Sequence, residues 1–214
     1  MLKDKIKNNN FKVGVFGLGY IGLPRSIHFA KANINVLGFD IDKNKIKKIR
    51  NKESYLSSVK SIQLKSIVGK KFNVTNDMSR VNEVDVIVLC LPTPLKSNNI
   101  PDLSFIINTM NKIKKYLKNH QMICLESTTY PGTTEEIILP ILKKRGFELG
   151  KNFYLLYSPE RDDPGRKIIN SSIPRVYCGL THRCTLLGNL FYSKIFDKMI
   201  LVSSIKTAEM TKLF

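Results

Sequence analysis

Three glycines near the start of the chain have the spacing of a phosphate-binding turn. Gly17, Gly19 and Gly22 form the pattern G-x-G-x-x-G between the apolar segment FKVGVFG and the helix-like segment YIGLPRSIHFAKAN. In such a turn the first glycine permits the sharp bend, the second lets a pyrophosphate approach the backbone, and the third lets helix and strand pack closely. The pattern predicts a dinucleotide site at a helix N-terminus. The alternative is that the glycines only shape a strand–helix corner.

An acidic residue follows at the position where a dinucleotide site needs one. The second apolar segment, INVLGFD, ends at Asp40, eighteen residues after Gly22. A carboxylate there hydrogen-bonds the ribose hydroxyls of NAD and would repel the 2′-phosphate of NADP, so the sequence favours NAD. Lys45 lies one turn into the next predicted helix. It either reaches the adenosine side of the cofactor or is an ordinary solvated lysine.

Polar residues follow three later apolar strands at the point where each strand ends. LPTP places Thr93 between two prolines after VDVIVLC, STTYPGTT follows MICLE, and SPERDDPGR follows FYLLY. An open parallel sheet binds ligands beyond the carboxyl ends of its strands, so these residues are candidates for one site. Turn and capping chemistry explains such residues singly, but it does not readily explain their repetition at three successive strands.

Apolar segments alternate with amphipathic segments along most of the chain. The β-α-β-α order and the near-continuous apolar segment VDVIVLCLP are typical of parallel strands that are buried on both faces. We therefore predict an α/β protein with a doubly wound, Rossmann-type, mostly parallel sheet. A single domain is expected over residues 11–204, with a polar tail at residues 1–10.

The composition narrows the classes of function. The 214 residues are 43% apolar and carry a formal net charge of +18. Because the lysines are spread evenly over helix faces, we interpret the charge as residue usage, and nucleic-acid binding is a disfavoured alternative. The sequence has neither an apolar run of about 20 residues nor a leader-like start, so no membrane contact is predicted and a cytoplasmic location is expected.

The four cysteines do not have the pattern of a secreted disulfide framework. Cys90 and Cys124 lie inside apolar strand-like segments, so buried free thiols are predicted. Cys178 and Cys184 flank His182. A zinc site needs about four well-placed ligands, so no metal site is predicted.

Six segments resemble, in order, the motifs of one enzyme family. They are FGLGYIGLP, GFDID, LPTP, ESTTYPGTT, YSPERDDPG and AEMTKLF. With these segments the chain resembles the N-terminal, NAD-binding half of the nucleotide-sugar 6-dehydrogenases, the UDP-glucose/GDP-mannose dehydrogenase family. SPERDDPG after ESTTYPGTT is most similar to the branch that acts on UDP-N-acetylglucosamine and UDP-N-acetylmannosamine.

The resemblance implies an NAD-dependent enzyme that oxidises the C6 alcohol of a UDP-sugar, a UDP-N-acetylhexosamine, to the carboxylate for polysaccharide precursors. In the family a cysteine traps the aldehyde, and a thioester is then hydrolysed. Carried over, Glu160 is the acid/base of that hydrolysis, Thr128 holds the attacking water and Lys212 stabilises the oxyanion. Arg161 and Asp162 are implied to bind the substrate with Glu160 and Lys212. The residues implied to contact NAD are Gly17, Gly19, Tyr20, Ile21, Gly22, Asp40, Lys45, Thr93 and Thr128.

The sequence departs from the family pattern at its end. The resemblance implies that residues 205–214 are the truncated start of the family's central helix. The sequence stops two residues after Lys212, where the family continues through this dimerising helix to a UDP-sugar-binding domain with the nucleophilic cysteine. We therefore expect that the isolated chain does not complete the reaction, and that a homo-oligomer or a complementing chain is a possible partner. One alternative is a non-catalytic NAD-binding module or decaying fragment. Another Rossmann dehydrogenase would share GLGYIG but not SPERDDPG and EMTKLF.

Overall fold

The computed structural model describes residues 1–96, 100–160 and 173–212, which form one sheet with helices on both faces. The strands are β1 (Lys12–Phe16), β2 (Asn35–Phe39), β3 (Phe72–Thr75), β4 (Val86–Leu89), β5 (Gln121–Leu125), β6 (Phe153–Tyr157), β7 (Arg175–Gly179) and β8 (Met199–Leu201). The helices are α1 (Leu2–Lys7), α2 (Gly22–Lys31), α3 (Lys43–Arg50), α4 (Ser61–Ile67), α5 (Ser104–Ile113), α6 (Leu139–Lys143), α7 (His182–Tyr192) and α8 (Ile205–Met210). A 3₁₀ helix spans Met78–Glu83, and a π-helical segment, Thr133–Ile138, continues into α6.

The sheet has the strand order β3-β2-β1-β4-β5-β6-β7-β8. All neighbouring strands are parallel except β6 and β7, which are antiparallel. The chain winds outward from β1 in both directions, since β1 pairs with β2 on one side and with β4 on the other. The loops that leave β1 and β4 therefore diverge and open a crevice, which confirms the predicted doubly wound, mostly parallel fold.

The central strands are buried on both faces, as their apolar sequences predict. In β4, Val86 and Val88 belong to one apolar cluster, whereas Ile87 and Leu89 belong to the other. The first cluster includes residues of α1, α2 and α7, and the second includes residues of α5 and α8. Alternate side chains of one strand thus bind helices on opposite faces of the sheet, which holds the carboxyl ends of the strands at fixed positions.

Residues 1–10 do not form the predicted polar tail, because α1 packs against α7. Leu2 and Ile6, which are spaced i, i+4, are both buried in the first cluster. Lys5 Nζ also lies 2.7 Å from Asp85 Oδ1, just before β4. Two apolar residues one helical turn apart suffice for a short amphipathic helix when a neighbouring helix offers an apolar surface. Lysines and asparagines surround Leu2 and Ile6, so the amphipathic pattern is weak in the sequence.

The cysteines are free thiols. Cys124, Cys178 and Cys184 are buried, whereas Cys90 is half-buried, so the prediction of buried free thiols is confirmed for three of them. Among the described residues, no group of three or more His, Cys, Asp or Glu side chains could hold a metal ion. Within the same ranges, every helix is too short or too polar to cross a bilayer.

The packing of α1 leads to a first prediction. Replacing Ile6, which is fully buried, with Ala should lower the free energy of unfolding by about 2–5 kcal/mol, because it removes apolar contacts with α7 and leaves a cavity. Urea denaturation followed by circular dichroism measures this change. Lys3→Ala, at an exposed position of the same helix, is the control and should have little effect. Equal stabilities of the Ile6 variant and the unaltered chain would mean that residues 1–10 are a tail in solution.

Candidate functional site

A cavity of about 630 Å³ opens at the carboxyl ends of the parallel strands, where open α/β sheets bind ligands. Most of the residues predicted from sequence line it. They are Gly17, Gly19, Tyr20, Ile21, Asp40, Lys45, Thr93, Thr128, Glu160 and Lys212. Of the remaining predicted residues, Gly22 is not part of the lining. Arg161 and Asp162 lie outside the described residues.

The glycine turn leaves its backbone open to the cavity. Gly17 has φ +87°, which favours glycine, and a side chain there would approach the Cys90 carbonyl oxygen to 2.5 Å. A side chain on Gly22 would collide with the carbonyl oxygen of Gly17, so α2 can begin this close to β1 only with glycine. In contrast, no atom lies within 4 Å of the place where a side chain on Gly19 would stand. That space and the α2 N-terminus fit a pyrophosphate.

Asp40 connects the second strand to the glycine turn. It follows β2 and is buried; its Oδ2 accepts a hydrogen bond from Leu18 N at 2.8 Å, and its Oδ1 accepts one from Asp42 N at 2.9 Å. Lys45 Nζ lies 3.5 Å from Asp40 Oδ2 and lines the cavity. Lys45 therefore contacts Asp40 as well as the solvent. Each carboxylate oxygen of Asp40 retains lone-pair capacity, which fits hydrogen bonds from ribose hydroxyls.

A serine hydroxyl joins the next two turns. Ser127 Oγ accepts a hydrogen bond from Leu91 N at 2.9 Å and donates one to Leu89 O at 3.2 Å. This pair of bonds ties the LPTP turn after β4 to the STTYPGTT turn after β5. Thr93 and Thr128, one on each turn, are half-buried and line the cavity.

Four buried charged side chains, Arg25, Glu126, Glu160 and Arg175, form a cluster at the inner end of the cavity. Glu126 Oε2 lies 3.2 Å from Arg25 Nε and 2.8 Å from Arg175 Nη2. Glu160 Oε2 lies 3.0 Å from Arg175 Nη1 and also pairs with Arg25. The Tyr192 hydroxyl donates a hydrogen bond to Glu126 Oε1 at 2.7 Å. The cluster contains two charges of each sign, so each ion has opposite charges beside it.

Aromatic rings and ion pairs keep this charge-paired cluster ionised. The guanidinium of Arg25 lies 4.8 Å from the ring centroid of Phe196, and that of Arg175 lies 5.1 Å from the centroids of Tyr192 and Phe196. Burial acts to raise the pKa of Glu126, but Arg175 and Arg25 outweigh it and hold that pKa below its usual value. Burial likewise acts to lower the pKa of Arg175, whereas Glu126 raises it above normal.

Sequence reasoning missed most of this cluster. Arg25 lies between the buried residues Leu23 and Ile27 in α2, so a charge on an apolar helix face was a signal that could have indicated a buried partner. Glu126 is the first residue of ESTTYPGTT, and the sequence alone predicted no role for it. Arg175 gave no signal, because one arginine at the start of a short strand is commonly solvated.

The three residues predicted to be catalytic lie at one cavity. Glu160, Lys212 and Thr128 all line it, and Lys212 Nζ donates a hydrogen bond to the backbone carbonyl oxygen of Glu160. The two segments that supply Glu160 and Lys212 lie 52 residues apart in the chain. The fold thus places a carboxylate, an ammonium group and a hydroxyl beside the space that fits a dinucleotide.

The comparison with known proteins agrees with this geometry. Residues 11–196 match the sequence model of the UDP-glucose/GDP-mannose dehydrogenase family, NAD binding domain. The chain belongs to this family. The predicted family and its NAD cofactor are thereby confirmed. Over 206 residues the chain is 35% identical to the UDP-N-acetyl-D-glucosamine 6-dehydrogenase of Pseudomonas aeruginosa, with 95% of this chain and 48% of that enzyme covered.

Solved structures of family members have the same fold. One is an NDP-N-acetyl-D-galactosaminuronic acid dehydrogenase from Methanosarcina mazei Go1, with TM-score 0.87, 32% identity, and coverage of 99% of this chain and 48% of that one. Another is a UDP-D-ManNAc dehydrogenase from Pyrococcus horikoshii, with TM-score 0.87, 30% identity, and coverage of 94% and 49%. The chain spans about half the length of the curated relatives it matches.

The buried cluster leads to a second prediction. Arg175→Met should lower the free energy of unfolding by about 3–5 kcal/mol, because it leaves Glu126 and Glu160 buried with Arg25 as their remaining guanidinium partner. Urea denaturation measures the change, and Arg80→Met, which removes an exposed ion pair, is the control. The double variant Arg175→Met/Glu126→Gln restores a one-to-one charge balance, so it should be more stable than the sum of its single effects predicts. Additive effects would contradict the cluster.

His28 contacts Phe196, one of the aromatic rings that lie beside the two arginines of the cluster. Its ring centroid is 5.7 Å from that of Phe196 in an edge-on contact, and it lines a smaller cavity of about 300 Å³ behind α2. Burial and the nearby positive charge of Arg25 lower the pKa of His28 from 6.5 to about 4. His28 is therefore neutral at pH 7 in the folded protein.

The lowered pKa of His28 leads to a third prediction. Between pH 6.5 and about 4 the unfolded chain binds a proton at His28 that the folded chain does not bind, so acidification through this window destabilises the fold. The full contribution is present above pH 6.5, and the loss should be roughly 1–2 kcal/mol because the ring is partly solvated. Urea denaturation from pH 7.5 to 4 measures it. His28→Gln should lose less stability over this range; parallel curves would contradict the pKa.

Proposed function

We propose that this chain contributes the NAD-binding part of a dehydrogenase that oxidises the C6 alcohol of a UDP-N-acetylhexosamine to the carboxylate. The observation that carries the proposal is the shared cavity. Its outer end has the glycine turn and Asp40, and its inner end has Thr128, Glu160 and Lys212. The names of relatives such as the Pseudomonas aeruginosa enzyme support the substrate class. The product would be a precursor for polysaccharide synthesis.

At the outer end, the residues present fit NAD. The N–H groups at the start of α2 and the open side of Gly19 would bind the pyrophosphate, and Asp40 would accept hydrogen bonds from a ribose. Tyr20 and Ile21 line the cavity on the turn itself, and Thr93 lines it from the turn after β4. When bound, NAD⁺ would supply the hydride acceptor for oxidation at C6.

At the inner end, Glu160 would be the base. Two guanidiniums, those of Arg25 and Arg175, lie beside its Oε2 and hold the side chain in place. A carboxylate can accept a proton from an attacking water that Thr128 holds. Lys212 would stabilise the negative charge that develops on the reacting oxygen. Arg161 and Asp162, outside the described residues, complete the substrate contacts in this proposal.

The state of the cysteines is also compatible with a second candidate function, a non-catalytic NAD-binding module. Burial raises the pKa of Cys90 well above its usual value, and burial also raises the pKa of Cys124 and Cys178, so these thiols are poor nucleophiles. Cys90 lines the cavity and has Glu126 nearby, which raises its pKa further. A non-catalytic NAD-binding module needs no activated thiol. It would bind NADH but show no response to a UDP-sugar.

A fourth prediction tests the proposed function by ligand binding. The unaltered chain should bind NADH at least tenfold more tightly than NADPH, because the Asp40 carboxylate repels a 2′-phosphate. Asp40→Asn should weaken NADH binding by about tenfold and reduce the preference over NADPH. Fluorescence titration of each cofactor measures both effects.

The control is Asp77→Asn, because Asp77 also accepts a hydrogen bond from a backbone N–H but lies on the surface. A chain that binds neither cofactor, or both equally, would contradict the proposed NAD site. The titration is repeated with UDP-N-acetylglucosamine and UDP-N-acetylmannosamine present. A change in NADH affinity supports the dehydrogenase, whereas identical affinity supports the binding module.

A further inference from the structure

A buried carboxylate that does not line the cavity joins two segments of the chain that do contribute to its lining. Glu209 on α8 is fully buried. Its carboxylate accepts hydrogen bonds from Gly132 N at 2.6 Å, from Thr134 N at 2.8 Å and from Thr134 Oγ1 at 2.6 Å. A buried carboxylate is costly unless its oxygens are satisfied. Here the three donors lie at the beginning of the helical run from Thr133 to Lys143, where backbone N–H groups lack partners within the helix.

The two segments that Glu209 joins are those that carry two of the proposed catalytic residues. Gly132 stands four residues after Thr128, at the end of the same STTYPG turn. Lys212 stands three residues after Glu209, about one helical turn further along the chain. Thr128 and Lys212 both line the cavity. A displacement of Glu209 would therefore be passed to both residues through short stretches of backbone.

Apolar packing and an exposed ion pair also hold α8. Ile205 and Ala208 are buried in the second apolar cluster, and apolar packing is not directional. Lys206 Nζ lies 3.3 Å from Glu136 Oε1, but both side chains are exposed, and such pairs contribute little. The three hydrogen bonds of Glu209 are directional, so they constrain the orientation of α8, and with it the start of the segment that carries Lys212, more precisely than apolar packing does.

We propose that Glu209 is a positioning residue. It holds the Lys212 ammonium group and the turn that carries Thr128 at defined positions relative to Glu160. This inference rests on the proposed function, because the positions of Lys212 and Thr128 relative to Glu160 matter for the oxidation proposed above. Glu209 itself lies outside the cavity lining and acts through its neighbours. The contact between Lys212 Nζ and the Glu160 carbonyl oxygen is the bond that this arrangement maintains.

The experiment measures the reactivity of Lys212 in the 214-residue chain. Acylation by a small amine-reactive ester is followed over pH 7–10, and the rate at Lys212 is read by peptide mass spectrometry. Glu209→Gln replaces one acceptor oxygen with an NH₂ group that cannot accept from a backbone N–H. The loss of a charge-assisted hydrogen bond should raise the Lys212 rate by about tenfold. Thr134→Val, which removes only the hydroxyl donor, should give a smaller increase.

Two control variants separate positioning from general loosening. Lys206→Gln breaks the exposed contact between the same two segments and should leave the Lys212 rate unchanged. Ile49→Val, in α3, lowers stability through the first apolar cluster, whereas α8 packs in the second, and it should also leave the rate unchanged. The proposal is overturned when Glu209→Gln leaves the rate within about twofold of the unaltered chain, or when Ile49→Val raises it equally.

Two further outcomes are also decisive. If Glu209→Gln does not fold, Thr134→Val carries the test, and an unchanged Lys212 rate in that variant overturns the proposal. Failure of the proposed function is distinguishable, because it appears as an absence of NADH binding by the unaltered chain. The reactivity of Lys212 without cofactor does not depend on that result.

Discussion

The position of Glu160 depends on two arginines that are themselves buried. Arg25 comes from the first helix after the glycine turn, and Arg175 is the first residue of β7, four strands away from β1 in the sheet. Neither guanidinium can lose its carboxylates without leaving an uncompensated ion in an apolar interior. The cluster therefore acts as a constraint on the backbone, because α2, β5, β6 and β7 must stay within ion-pair distance of one another.

This constraint couples the two ends of the cavity. The N-terminus of α2 forms the proposed phosphate site, and Arg25 in its first turn pairs with Glu160 at the proposed reaction site. A shift of α2 along its axis would move the phosphates and the carboxylate together. The distance between a bound cofactor and the proposed base is thus set by one helix and one ion pair, without a flexible loop between them.

The fold and the outer end of the cavity could be predicted because their signals are local. Glycine spacing, an acid eighteen residues after Gly22 and long apolar segments each depend on residues close together in the chain. The cluster could not be predicted in the same way, because Arg25 and Arg175 are 150 residues apart in the chain. Their pairing is a product of tertiary structure. α1 was missed for a different reason, since its helical stability comes from α7 and not from its own polar sequence.

The reversed direction of β7 determines which end of that strand bears the charge. Cys178 pairs with Tyr157 and Gly179 with Leu156, so the antiparallel register, extended along both strands, brings Arg175 opposite Glu160. In a parallel strand of five residues, the same arginine would lie at the other end of the strand, about 13 Å from the edge where β6 ends. Because Glu160 and Arg175 are the two ends of the connection between β6 and β7, their ion pair closes that connection into a loop whose ends are held together at the carboxyl edge of β6.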